Sequence, residues 1–405
     1  MKRQKKSLFR VLTSTALAAV LCVSMAVPAF AADVATGTPG TPAAAVITKD
    51  LTMPDGTATP AATFTFEVDA VDKDGDTSAT IPAITNPTIT YTAGEAATGT
   101  AGGVKTVTKT ADILGSTTYT AAGVYTYTIH ESNPAWAGTN ETMTYSPANY
   151  TMRVYVENDP RTGHEGDVFV AAIGFDVNTV DNSGQTTGKV DYVGGAKILF
   201  TNTFSKNAVV VPPTSGGAAS ISKTVTGAYG DQTKYFPFNV TVTAPSVGGS
   251  TGPYKAYVVE NGSVVTAAAN YAGTIQTDGN GDDYIEMTSA SAETINLKHG
   301  QMLAFSDVPT GATYQAVETT ATGYTTTIQT VEGGGTPNAI TGLDTGVLTV
   351  KDGGANTADY TNAYQTVTPT GVLINNLPFL MILVLAAGAL VTFVVVKSRK
   401  RAAGN

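Results

Sequence analysis

Three polar side-chain types recur twice along this chain, in one order and with matching neighbours. Lysine comes first, in Ile47-Thr48-Lys49 and Ile221-Ser222-Lys223. Glutamate follows, ending Tyr127-Thr128-Ile129-His130-Glu131 and Tyr314-Gln315-Ala316-Val317-Glu318. Asparagine closes each set, in Phe200-Thr201-Asn202 and Tyr360-Thr361-Asn362. An amine, a carboxyl and a carboxamide offer a nucleophile, a proton carrier and an acyl group. Singly, such a lysine is an ordinary solvated side chain and such an asparagine an ordinary turn former. The ordered triplet, met twice with the same flanks, argues against that ordinary reading. A further reactive candidate is Thr368-Pro369-Thr370-Gly371, which precedes an apolar run and the basic Lys397-Ser398-Arg399-Lys400-Arg401. It has the form of a peptide handled by a processing enzyme.

The segments that must position these groups alternate. Thr63-Phe64-Thr65-Phe66-Glu67-Val68, Val124-Tyr125-Thr126-Tyr127-Thr128-Ile129 and Phe236-Pro237-Phe238-Asn239-Val240-Thr241-Val242 have period two with β-branched and aromatic residues, the signature of half-buried strands. Turn clusters such as Asp72-Lys73-Asp74-Gly75-Asp76 and Gly102-Gly103 separate them. No long soluble stretch carries a helical apolar stripe, so the prediction is an all-β protein of two tandem immunoglobulin-like β-sandwich domains. The Pro/Gly-rich Val211-Pro212-Pro213-Thr214-Ser215-Gly216-Gly217 separates the two. The expected division is a signal peptide at 1–31, a leader linker at 32–45, the first sandwich at 46–206, a linker at 207–219 and the second sandwich at 220–366. A recognition peptide at 367–371, a transmembrane segment at 372–396 and a basic cytoplasmic tail at 397–405 complete it.

Both ends read as processed. Met1-Lys2-Arg3-Gln4-Lys5-Lys6, the apolar Val11 to Val27 and Ala29-Phe30-Ala31 form a cleaved secretory signal peptide. Leu377 to Val396 is uncharged and about 20 residues long, roughly what a helix needs to span a bilayer, and the cations behind it hold that end in the cytoplasm. The whole chain has a net charge of −9, but nine of its 23 Lys and Arg residues lie in these ends. The exported part keeps 14 cations against 32 acidic residues, a net charge of −18, which argues against nucleic acid as a partner. The sole cysteine, Cys22, falls in the signal peptide, so the secreted part has no disulfide.

With these features the chain resembles the backbone pilins of Gram-positive bacteria that are assembled by sortases and built from streptococcal pilin isopeptide-linkage domains. The match is closest in the second half, where Ile221-Ser222-Lys223-Thr224-Val225-Thr226-Gly227, Phe236-Pro237-Phe238, Val308-Pro309-Thr310-Gly311 with Glu318, and Tyr360-Thr361-Asn362 fall in the family's order. The resemblance implies an intramolecular Lys–Asn amide bond in each domain: Lys49 to Asn202 with Glu131, and Lys223 to Asn362 with Glu318. The chemistry has a physical rationale. Burial lowers a lysine pKa and raises a carboxyl pKa, so a neutral amine can attack the carboxamide while a protonated glutamate polarises it and shuttles protons as ammonia leaves. This happens once and is not enzymatic turnover.

For the C-terminal peptide, the resemblance implies sortase cleavage between Thr370 and Gly371, with Pro369 in the recognition sequence. A sortase cysteine would take the Thr370 acyl group and pass it to an amine of the next subunit. The sequence lacks the Leu-Pro-x-Thr-Gly wall-sorting pattern, which favours a dedicated pilus sortase. The acceptor amine is expected at Lys197, with Lys189 and Lys206 as alternatives. The reading is therefore a structural shaft subunit of a covalent pilus on the cell surface, serving adhesion and colonisation. Its partners would be identical subunits, a pilus-specific sortase, minor pilins and wall peptidoglycan, with the membrane met only by the precursor. The alternative is a monomeric wall-anchored or tip adhesin that binds a host ligand.

No cofactor and no metal site are expected. His130, His164 and His299 are scattered and no H-E-x-x-H occurs. Asp278-Gly279-Asn280-Gly281-Asp282-Asp283 lacks the spacing of a calcium loop and reads as an acidic hairpin turn. Trp136 is expected to fold onto the edge of the first sandwich.

Overall fold

The computed structural model describes residues 34–182, 186–190, 192, 198–365 and 370–402, with side chains in the last stretch described at 379 and 381–397. The signal peptide at 1–31, Lys197 and Pro369 lie outside the described residues. The folded body is all-β and consists of two sandwiches, each with its own apolar core.

In the first sandwich one sheet is built on Ala62–Lys73, Gly123–Glu131, Asn149–Asn158 and Val168–Thr179. The opposing sheet runs in the order Thr98–Gly99, Val104–Asp112, Val46–Pro54, Ile198–Lys206, Glu141–Thr144. Its opening strand Val46–Pro54 and closing strand Ile198–Lys206 are neighbours and parallel, with Phe200 opposite Lys49 and Asn202 opposite Leu51. A parallel pair joined by the whole domain is a non-local contact, and its closure costs chain entropy. The stretch before Val46 is also used: Ala35–Thr36 pairs with Ile173 and Ala172 at the sheet edge, and Ala43 and Ala45 are buried.

The second sandwich repeats the scheme. The opening strand Ala219–Thr226 and closing strand Thr357–Tyr364 are again parallel neighbours, with Tyr360 opposite Lys223 and Asn362 opposite Val225. They lie in a nine-stranded sheet, and Phe236–Thr243 and Thr313–Glu318 belong to the four-stranded sheet facing it. In both domains the lysine and the asparagine thus come from one sheet and the glutamate from the other.

Two loop expectations are met. Asp278 accepts the N–H groups of Asn280 and Asp282 and the hydroxyl of Tyr257, forming a hairpin turn between Ile275–Thr277 and Asp283–Met287. Trp136 packs edge-on against Phe204 at 5.7 Å and donates to Glu141. Thr370–Ala402 is a helix, and its described side chains are exposed. Among the described residues no helix is long and apolar enough to cross a membrane.

Candidate functional site

Strand parity brings the six polar residues inside. In Gly123–Glu131 the alternate residues Tyr125, Tyr127 and Ile129 fill the core, so the next inward position belongs to Glu131. The same count runs Tyr314, Ala316, Glu318. Lys49 stands between Ile47 and Leu51, Lys223 between Ile221 and Val225, Asn202 between Phe200 and Phe204, and Asn362 follows Tyr360. Both lysines and both asparagines are at most 1% exposed.

The three groups of each set meet there. Lys49 Nζ donates to Glu131 Oε2 at 2.8 Å and Asn202 Nδ2 to Glu131 Oε1 at 2.7 Å. Lys223 Nζ donates to Glu318 Oε1 at 2.8 Å, and Asn362 Nδ2 donates to the same oxygen at 2.5 Å. Each carboxyl therefore spans the sandwich and touches an amine and a carboxamide carried by adjacent strands of the other sheet. Aromatic rings wall both sites: Lys49 Nζ lies 4.7 Å from the centroid of Phe64, and Lys223 Nζ lies 4.4 Å from that of Phe236. Phe66 packs on Phe200 and Phe238 on Tyr360, each pair at 4.9 Å, so the ring between the lysine strand and the glutamate strand is conserved in place across the two domains.

Burial sets the proton positions. Desolvation lowers the Lys49 amine from its ordinary 10.5 to about 8, although the neighbouring Glu131 pulls the other way. Lys223 falls to about 8 for the same reason, opposed by Glu318. The Glu131 carboxyl is raised by desolvation against the pull of Lys49. The pair at the first site is thereby moved toward neutral amine and neutral acid, the states needed for attack on a carboxamide.

A surface cluster supplies an internal contrast. Lys298 Nζ lies 3.1 Å from Glu260 Oε1, and Gln301 Nε2 donates to Glu260 Oε2 at 3.0 Å, so an amine, a carboxyl and a carboxamide meet again. There the lysine and glutamate side chains keep 28% and 25% of their exposure, and the contacts from Gln301 and Lys298 hold the Glu260 carboxyl below its usual range. The same groups beside water remain an ion pair. Enclosure, not composition, distinguishes the two buried sets.

The two buried sites differ at the carboxamide oxygen. Asn202 Oδ1 accepts the backbone N–H of Ser146 at 2.7 Å. Asn362 Oδ1 and Glu318 Oε2 are buried and have no hydrogen-bond partner among the described residues. Ser146 and the buried Asp181 behind it were not legible in the sequence. Both sit in connections between strands, where period two gives no direction, and Asp181-Asn182-Ser183-Gly184 has the composition of a plain turn.

These geometries agree with what the chain is similar to. Residues 45–205 match the family model described as a Spy0128-like isopeptide containing domain. That match spans the first sandwich. Residues 217–364 match a domain of unknown function, DUF7601, so the second isopeptide-type triad lies in a domain to which no role is attached by its description. Among solved structures, the major pilin from Streptococcus pyogenes aligns at 18% identity over 80% of this chain and 100% of its own, with a TM-score of 0.33. The major pilin T-13 of Streptococcus pyogenes serotype GAS131465 aligns at 18% identity over 82% and 99%, with a TM-score of 0.30. A pilus-presented adhesin, Spy0125 (Cpa), aligns at 17% identity over 54% and 37%, with a TM-score of 0.23. No curated protein matches the chain. The isopeptide-domain part of the resemblance read from the sequence is thus matched over residues 45–205, where the triad of Lys49, Glu131 and Asn202 is intact.

Lys206 is engaged at 2.9 Å with Asp352 of the second domain, and Lys189 lies exposed in the short edge strand Gly188–Lys189 opposite Asp176. Thr370 and Gly371 open the C-terminal helix. On the outer face of the first sandwich, His130 Nε2 lies 3.2 Å from Glu67 Oε2 and Nδ1 3.9 Å from Asp69 Oδ2, a proximity that the scattered histidines of the sequence did not suggest.

Proposed function

We propose that this chain is the repeating shaft subunit of a covalently polymerised pilus on a Gram-positive cell surface, and that each sandwich closes an internal Lys–Asn amide bond. The observation that carries the reading is the pair of enclosed Lys–Glu–Asn sets, each joining the first and last strands of its domain. In each, the neutral lysine amine attacks Asn Cγ, the new C–N bond replaces the Cγ–Nδ2 bond, and ammonia departs with a proton passed on by the glutamate. Folding supplies proximity. A bond between adjacent parallel strands at the two ends of the domain carries tension past the intervening chain, which suits a load-bearing fibre.

In this proposal the signal peptide exports the precursor and the C-terminal helix and basic tail hold it at the membrane. A pilus-specific sortase cleaves between Thr370 and Gly371 and joins Thr370 to a lysine of the next subunit, with Lys197 the first choice. Lys189 and Lys206 are the alternatives, and the Lys206 ammonium is paired with Asp352. Minor pilins and peptidoglycan are the remaining expected partners.

Intact mass tests the internal bonds: each should remove one ammonia, about 17 Da. A full unmodified mass would end that part of the proposal. Immunoblots of wall extracts test the polymer. A high-mass ladder lost on deleting Thr370-Gly371 supports a shaft, whereas a single band supports a monomeric adhesin.

A further inference from the structure

We propose that in the first domain the backbone N–H of Ser146 is an oxyanion donor to Asn202, and that Asp181 is the positioning residue that holds it there. The inference rests on the cross-linking reaction proposed above. As the amine attacks Asn202 Cγ, the carbonyl electrons move onto Oδ1, and a fixed N–H at 2.7 Å meets the charge where it develops. The loop bearing Ser146 has no ladder of its own to fix this distance. Asp181 supplies the restraint. Its Oδ1 accepts the Ser146 hydroxyl at 2.8 Å and the Thr201 N–H at 2.9 Å, and its Oδ2 accepts the Thr201 hydroxyl at 2.7 Å. One carboxylate thus holds both the residue that donates to the carboxamide and the residue next to Asn202 in the chain. Asp181 is 3% exposed and Ser146 6%, so the clamp is enclosed with the site. Among the described residues the second domain has no such donor, since Asn362 Oδ1 is without a partner there. The two domains would then run one reaction with different means of stabilising the oxyanion.

A purely electrostatic role for Asp181 predicts the opposite effect. Its charge favours the ammonium form of Lys49, so removing it would favour the reactive amine and speed the reaction. Loss of positioning slows it. The test is cell-free synthesis of the full chain in detergent, followed by a timed chase, digestion and quantification of the Lys49–Asn202 and Lys223–Asn362 cross-linked peptides. Asp181→Ala should slow the first bond about tenfold or more, up to the 10²–10³ of outright loss of an oxyanion donor, and leave the second bond unchanged. Asp181→Asn, which keeps an acceptor for Ser146 and Thr201, should recover most of the rate. Ser146→Ala keeps the N–H but loses the tie, and should slow the first bond by a smaller factor. If Asp181→Ala stops the domain from folding, the Ser146→Ala rate decides: slowing supports the clamp and a wild-type rate overturns it. A wild-type or faster rate in Asp181→Ala also overturns it. Absence of both cross-links in the wild-type chain refutes instead the reaction on which the inference rests.

Discussion

Replacing Lys223 with methionine should convert the second domain from a closed loop into an open chain while leaving its core filled. Methionine matches the length of the lysine stem and is apolar, so it suits a site walled by Phe236, Phe238 and Tyr360. Glu318 then loses its amine partner and keeps Asn362. The main loss is the proposed amide bond between strands that pair at Lys223–Tyr360 and Val225–Asn362. It closes a loop of about 140 residues, worth about 5 kcal/mol in the chain-entropy treatment used for disulfides. For a domain near 150 residues, about 1 kcal/mol shifts the melting midpoint by roughly 2–4 °C, so the second domain should melt about 10–20 °C lower. Calorimetry should resolve this transition from that of the first domain, whose Lys49 site is untouched. Intact mass should show, after correction for the substitution, one ammonia more than the wild type. An unchanged corrected mass, or a midpoint within about 3 °C of wild type with the bond shown to be absent, would refute the reasoning.

Glu318→Gln and Glu131→Gln each remove a proton carrier while keeping the shape of the site. Each should slow its own bond by about 10²–10⁴ and leave the other domain's bond intact, read by timed mass spectrometry. In Asn202→Ala the first bond cannot form, and the free pair becomes visible in stability. Glu131, raised when folded, contributes stability that is present at acidic pH and is lost as pH rises from 4.5 through its folded value. Lys49, lowered to about 8 when folded, contributes stability that is present above 10.5 and is lost as pH falls toward 8. Urea midpoints should therefore show a minimum near neutrality, and a maximum there would contradict the assignment. Asp352→Ala should loosen the junction between the domains, because Asp352 Oδ2 pairs with Lys206 at 2.9 Å and accepts the Ala58 N–H at 3.3 Å. A pair this exposed is worth about 0–1 kcal/mol, so the expected result is a broader distribution of domain distances by spin labelling with both melting midpoints nearly unchanged.

Period-two patterning made much of this protein readable. Because successive strand residues face opposite ways, Tyr125, Tyr127 and Ile129 settle the direction of Glu131, and Ile47 and Leu51 settle that of Lys49. The duplicated order of lysine, glutamate and asparagine supplied the candidates, and six of six lie in the two enclosed clusters. The stretch before Val46 was harder to read. Its Pro and Gly content is that of a linker, but a two-residue strand is enough to cap a sheet edge and carries almost no pattern. Ser146 and Asp181 were invisible for a related reason: loop residues have no period, and their roles come from where the chain turns.

Which residues face inward follows from strand alternation, a local property that each strand carries in its own parity. Tertiary structure decided which inward residues meet. Only sheet pairing places Phe200 beside Lys49 and Tyr360 beside Lys223, and only the packing of one sheet on the other brings each glutamate across the core. Enclosure was decided at the same level. It separates the buried sets, where desolvation lowers the lysine pKa, from Lys298 and Glu260, which stay partly exposed as an ion pair beside the buried Gln301. The difference between the two domains at the carboxamide oxygen lies there too, because a donor such as Ser146 N–H is a backbone group that no residue name reveals.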